Sequence, residues 1–149
     1  MNKDISAETI ADLEKRLRYI SGIIKQNGRK ILHHYPITSP QFVALQFLVD
    51  DDLTIGELSS KNGLAFSTTT DLVDRLEKNE LVERVRDTSD RRVVRIHVLP
   101  KGKTIIEDVV EKRQEYLGDV LKNFSGDQTK TLNELLTFLY EEMEQVDYQ

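Results

Sequence analysis

The sequence predicts a mainly α-helical chain carrying one small β-hairpin. Three observations support that expectation. Apolar residues recur at helical spacing over most of the 149 residues. One short segment alone switches to alternating, β-branched residues. Helix-starting Ser, Thr and Pro stand at the head of successive apolar-periodic runs.

Ser6 can cap a first helix that runs to about His34, with apolar positions at Ile10, Leu13, Leu17, Ile20, Ile24 and Ile31. Their steps of 3, 4, 3, 4 and 7 draw a heptad-like seam along one face, and a seam this long calls for a helical partner. Tyr35-Pro36 ends the helix, because the residue before a proline avoids the α region. Ser39-Pro40 reads as an N-cap followed by proline at the first helical position. The helix it opens turns Phe42, Leu45, Leu48 and Val49 inward and stops at Asp50-Asp51-Asp52. Thr54 and Glu57 match a capping box, in which hydroxyl and carboxylate each accept a backbone N–H at the other residue. A short helix then reaches about Asn62, and Gly63 takes the left-handed conformation that ends it.

The stretch "LAFSTTTDLVDRLEKNEL" reads as a helix from about Ser67 to Asn79, with Leu72, Val73 and Leu76 as its buried stripe. Short helix, glycine turn, second helix is helix-turn-helix spacing. "LVERVR" and "RVVRIHV", separated by "DTSDR", follow as a two-stranded hairpin, which completes a winged-helix arrangement. Pro100 opens another long helix with Ile105, Ile106, Val109, Tyr116, Leu117, Val120 and Leu121 along one stripe. "FSGDQ" breaks it, and a last helix from about Gln128 carries Leu132, Leu135, Leu136, Leu139, Met143 and Val146. The expected organisation is therefore an N-terminal dimerisation helix over residues 1–36, a winged helix-turn-helix module over 37–100 and C-terminal dimerisation helices over 101–149. The terminal helices have more apolar face than so small a module can cover, so a second copy of the chain is the economical partner, with Leu13, Leu17, Leu135, Leu136 and Leu139 at the contact.

Charge is distributed unevenly. The chain carries a formal net charge of −5, yet the stretch from Arg84 to Lys103 holds seven basic residues against Asp87 and Asp90. There is no cysteine, which excludes a disulfide framework, a Cys-ligated zinc site and a thiol redox switch. His33, His34 and His97 form no metal-ligand spacing, and neighbouring His33 and His34 point to different sides of a helix. No metal or cofactor is expected. No nucleophile–base constellation or glycine-rich phosphate loop is present, so the sequence does not read as an enzyme. No apolar run approaches the roughly 18 residues of a membrane span, and the charged N-terminus lacks a signal-peptide apolar region. A soluble cytoplasmic protein is expected.

The segments "ITSPQFVALQFL", "LTIGELSSKNGL", "TTTDLVDRLEKNELVERV" and "DTSDRRVVRIHVLPKG", in this order and at these separations, resemble the MarR family of bacterial transcription regulators. The resemblance runs from about residue 8 to 146, and Asp90-Arg91-Arg92 matches the family's Asp-x-Arg signature at the wing. It implies a homodimer and winged-helix binding of double-stranded DNA at a palindromic operator. It also implies frequent release by a small molecule bound between the DNA-binding and dimerisation regions. A repressor is the expected role; the alternative is a winged-helix module that acts through protein–protein contacts. The chain departs from the pattern where Glu80 replaces a turn glycine, so Asn79 or Glu80 has to accept the turn conformation. It departs again at Asp71 and Thr69 on the recognition helix and at Leu99 before Pro100.

The resemblance also implies that Arg92 reaches from the wing into the minor groove while Asp90 holds its guanidinium. The plainer reading of that pair is an exposed surface ion pair of little energetic weight. Arg84, Arg86 and Arg91 either contact phosphates or solvate the hairpin. Ser67, Thr68 and Thr70 lie in the first turn of the recognition helix, where short hydroxyls suit phosphate oxygens and base edges; one of them, Ser67, also suits an N-cap. Arg75 either reaches DNA or pairs with Asp71 four residues before it. Tyr19, Tyr35, Phe42, Phe47 and Phe66 either line an effector pocket or fill the core.

Overall fold

The structure, a computed structural model, describes residues 4–146. Six α-helices and one hairpin follow each other as α1 (Ala7–Leu32), α2 (Ser39–Asp50), α3 (Ile55–Asn62), α4 (Phe66–Lys78), β1 (Val82–Arg86), β2 (Val94–Val98), α5 (Pro100–Val120) and α6 (Gly126–Gln145), with a short 3₁₀ turn at Leu121–Asn123. The described chain falls into two compact units, one up to Arg113 and one from Gln114 on. The first therefore takes in α1 and the first two thirds of α5 together with the helix-turn-helix and hairpin.

Local chemistry sets most element boundaries. The Ser6 hydroxyl accepts the Thr9 N–H at 3.1 Å and starts α1. That helix ends at Leu32, two residues earlier than the sequence spacing suggests, and His33–Pro36 form turns. The cap of α2 is Thr38, not Ser39: its hydroxyl accepts the Gln41 N–H at 3.3 Å, and the Gln41 side chain accepts the Thr38 N–H at 3.1 Å. A Thr-x-x-Gln box satisfies two backbone donors, which Ser39 followed by proline cannot match. The Thr54–Glu57 box is present with both bonds at 3.1 Å, and Gly63 ends α3 at φ 71°. Helix α4 starts at Phe66 behind Ala65, which offers no capping side chain, so Ser67 is not the cap. Helix α6 begins at Gly126 rather than near Gln128, because Ser125 and Gln128 form a third capping box.

The core lies in the first unit. Leu32, Ile37, Phe42, Ala44, Leu45 and Leu48 meet Leu53, Leu58, Val73, Leu76, Leu81, Val82, Ile96, Val98, Ile105 and Val109. On α2, Ala44 rather than Val49 faces inward; Val49 is exposed. On α4 the buried stripe is Thr69, Val73 and Leu76, with Leu72 half-buried. Gly102 lets the start of α5 approach the hairpin, since a Cβ there would lie 2.5 Å from the Leu81 carbonyl oxygen and 2.9 Å from Val98.

The hairpin is antiparallel, with Val82 opposite Val98, Arg84 opposite Ile96 and Arg86 opposite Val94. Directly opposed residues share a face, so Val82, Val98 and Ile96 turn to the core. Asp87, Arg95 and His97 belong to the other face. Leu53 bridges Ile96, its carbonyl accepting the Ile96 N–H at 2.8 Å, and so ties the α2–α3 connection to the outer edge of β2.

Outside the core the pattern reverses. Residues 4–26, most of α1, are all exposed, and no described residue from Gln114 onward is buried. Leu13, Leu17, Leu135, Leu136 and Leu139 are all exposed. No helix among the described residues is long and apolar enough to cross a membrane.

Candidate nucleic-acid interface

Helices α3 and α4 form the helix-turn-helix, joined by Gly63–Ala65. The turn is fixed from inside: the Ser59 hydroxyl donates to the Leu64 carbonyl at 2.6 Å, and the Asn62 side chain accepts the Leu64 N–H at 2.9 Å. Asn62 also reaches the hydroxyl of the fully buried Thr69 at 3.5 Å, which gives that buried polar group its partner. At the head of α4, Ser67 and Thr68 are exposed. The Thr70 hydroxyl is turned back onto its own helix, donating to the Phe66 carbonyl at 3.0 Å.

Arginines of similar appearance in the sequence have different surroundings. Arg84 is held by two carboxylates of α4, Asp74 at 2.7 Å and Glu77 at 2.6 Å, and its side chain is only partly exposed. It fastens β1 to α4, and its charge is already neutralised. Arg75 and Asp71 form no ion pair among the described residues, and Asp74 on the same helix pairs with Arg84. Arg86 donates to the Arg91 carbonyl at 2.9 Å and closes the base of the wing loop. Arg91 is exposed.

Arg92 stands apart. Its guanidinium is bound through two parallel bonds, Nε to Asp90 Oδ1 and Nη2 to Asp90 Oδ2, each at 3.1 Å. Its backbone N–H donates to Asp90 Oδ1 as well, at 3.1 Å. The side chain is nonetheless 91% exposed. Two-point pairing fixes the plane of the guanidinium while leaving its outer edge free. The Asp90 carboxyl is held below its ordinary value, chiefly by the Arg92 guanidinium and then by the Arg92 N–H.

Sequence reasoning did not single out the groups beneath the wing. Arg95 Nε donates to Asp87 Oδ1 at 2.9 Å, while its Nη1 reaches Glu57 Oε1 at 3.0 Å and the Asp52 carbonyl at 3.2 Å. Asp87 in turn accepts the N–H groups of Ser89 and Asp90 at 3.0 and 2.9 Å. Its carboxyl is held below the ordinary aspartate range, first by Arg95 and then by these backbone donors. His97 Nδ1 lies 3.0 Å from Asp52. The legible signal was the alternation itself: with Arg86 opposite Val94, Asp87 and Arg95 fall diagonally on one face with opposite charge.

The aromatic candidates separate. Phe42 is a core residue, and Tyr35 and Phe47 are half-buried against that core. Tyr19 and Phe66 are exposed. No group of three or more His, Cys, Asp or Glu among the described residues is arranged to hold a metal.

The family model described as the MarR family matches residues 37–94. The chain is 58% identical over 137 residues to an uncharacterized HTH-type transcriptional regulator of Bacillus subtilis, YsmB, covering 91% of this chain and 94% of that one. It is 30% identical over 110 residues to the HTH-type transcriptional regulator MgrA of Staphylococcus aureus, covering 73% and 74%. Among solved structures, a MarR family protein from Bacillus stearothermophilus is similar with a TM-score of 0.88 at 55% identity, over 95% of this chain and 99% of that one. The transcriptional regulator Tm0710 from Thermotoga maritima is similar with a TM-score of 0.77 at 33% identity, over 90% and 95%. Three of the four carry the name of a transcriptional regulator and the fourth that of a MarR family protein.

Proposed function

The chain belongs to the MarR family and is a DNA-binding transcription regulator, and from that premise we propose that it is a cytoplasmic homodimeric repressor of a palindromic operator, released by a small-molecule effector. The observation that carries the reading is the Arg92–Asp90 pair, which presents an oriented and almost wholly exposed guanidinium at the tip of a wing. Three bonds to one carboxylate, two from the guanidinium and one from the backbone N–H, hold an exposed side chain in a fixed orientation. That suits a minor-groove contact, because arginine in a narrow groove gains from both charge and fixed orientation.

In this reading the exposed first turn of α4, with Ser67 and Thr68, enters the major groove, and Arg75 and Arg91 contact backbone phosphates. Thr70 contributes less, since its hydroxyl proton is engaged with Phe66. Arg84 and Arg86 hold the wing rather than the DNA. The exposed seams of α1 and α6 support a dimer, and two-fold symmetry in the protein is matched by a palindrome with half-sites about one helical turn apart. The acidic body opposes indiscriminate binding to nucleic acid, while the wings supply counterion release. Tyr35 and Phe47 are the half-buried aromatics available to an apolar or aromatic effector.

The test is selection of binding sites from random DNA with the purified protein, followed by affinity measurements over a salt series. A palindromic consensus with salt-dependent affinity is expected. A second reading, a winged helix that docks on protein, is favoured by Asp71 and Asp74 on the recognition helix. It takes over if no sequence is enriched and no salt-dependent binding is seen.

A further inference from the structure

One continuous set of hydrogen bonds runs from the first helix of the helix-turn-helix to the tip of the wing. It starts at the Thr54 N–H, which donates to Glu57 Oε1 at 3.1 Å. The same oxygen accepts Arg95 Nη1 at 3.0 Å. Arg95 Nε passes to Asp87 Oδ1 at 2.9 Å, and Asp87 Oδ2 takes the N–H groups of Ser89 and Asp90. Asp90 then holds Arg92. Arg95 is the one side chain in this set that touches both α3 and the wing loop. It does so across 38 residues to Glu57 and 8 to Asp87. Its guanidinium also bonds the Asp52 carbonyl, beside the point where Leu53 bridges Ile96.

We propose that Arg95 is a positioning residue for DNA binding: through Asp87 it sets the angle of the Asp90–Arg92 pair relative to the helix-turn-helix. The physical need is plain. A helix in one groove and an arginine in the next bind together only if their separation is fixed, and the wing loop, residues 87–93, has no core contact to fix it. A planar guanidinium with donors on two edges can span two carboxylates and a carbonyl at once; a lysine ammonium cannot hold that geometry. The outer face of the hairpin carries Arg95 and His97, with Asp52 and Glu57 across from them. The single charge of Arg95 is thus engaged by two carboxylates of the protein.

This inference rests on the proposed DNA contact by Arg92, and the experiment separates the two. Amide exchange in the free protein needs no DNA. Arg95→Gln and Arg95→Lys should speed exchange at Ser89, Asp90 and Arg92 by about tenfold, with α4 amides unchanged; equal exchange in parent and variants overturns the proposal. The second measurement is a double-mutant cycle on the selected operator. Arg92→Ala should weaken binding strongly in the parent and roughly tenfold less in the Arg95→Gln background, the size of coupling expected within one hydrogen-bonded network. Asp87→Asn keeps an oxygen for the Ser89 and Asp90 donors and removes only the charge that Arg95 grips. It should weaken binding although it deletes a negative charge near DNA. An additive cycle, or tighter binding by Asp87→Asn, overturns the proposal while leaving a DNA-binding Arg92 intact. If Arg92→Ala binds as the parent does, the DNA-contact reading itself falls, and the inferred role of Arg95 with it.

Discussion

Glu80 carries its backbone at φ 62°, in the left-handed region, at the turn between α4 and β1. A side chain there costs about 1–2 kcal/mol, partly offset because glycine loses more chain entropy on folding. Glu80→Gly should therefore stabilise the protein by roughly 0.5–1 kcal/mol, a rise in melting temperature of about 2–3 °C, read by thermal denaturation. The departure from the family's turn glycine is visible in the sequence, and so is the pair of positions that must absorb it. Which of Asn79 and Glu80 takes the strain depends on the Leu81 N–H closing on Leu76 at 2.9 Å, a geometry that spacing alone does not specify. Arg92 and Asp90 offer the sharper residue-scale test. Arg92→Ala should cost roughly 1–3 kcal/mol of operator affinity per subunit and flatten the salt dependence. Asp90→Ala should weaken binding too, against the sign that simple charge repulsion gives. Affinity titrations of both variants over a salt series, with circular dichroism to confirm folding, decide it.

At the scale of elements, local signals proved readable where they are local in space. The Thr54–Glu57 box, the Gly63 stop and the hairpin all need only residues a few positions apart. Thr38 as the cap of α2 was equally legible, since Gln41 stands three residues after it, but proline at position 40 draws attention to Ser39 instead. Val49 and Ala44 exchange roles because α2 is covered from several sides, and a small residue marks the closest approach better than a periodic pattern does. The Glu57–Arg95–Asp87 set was not legible, because it depends on the hairpin register and on the Leu53–Ile96 bridge. Its carboxylates also predict a pH response. The Asp87 and Asp90 carboxyls titrate below the ordinary aspartate value of 3.8 in the folded protein. Their contribution is thus fully present above about that pH and is lost as pH falls through the depressed folded value. Carboxyl ¹³C shifts should place both below 3.8 in the parent, and Asp87 should move back toward it in Arg95→Gln. The element most exposed to test is α1, whose Leu17 lies on an open seam. Leu17→Glu should shift a micromolar sample from dimer toward monomer in sedimentation, while leaving the buried core of the first unit unaltered.

For the whole molecule, the split of charge and the split of burial run along different lines. Basic residues gather on the hairpin, whereas apolar exposure gathers on α1 and α6. Both gatherings are legible in the sequence, because composition alone separates them. The absence of any buried described residue from Gln114 onward has a thermodynamic consequence. A helix of 20 residues with no buried residue is marginal in water on its own. If α6 is covered by a second copy of the chain, as proposed above, its burial and its folding are a single equilibrium, second order in protein. Melting temperature should climb with the logarithm of total concentration, as for any assembly whose subunits are not separately stable. Calorimetry over a hundredfold dilution series reads this directly, and a melting point independent of concentration would require that α6 find its cover within its own chain. With such coupling, the amount of operator-competent protein falls faster than the amount of protein made. In a dimeric regulator of this kind, dilution at cell division would itself be an input to regulation, with no ligand needed to deliver it.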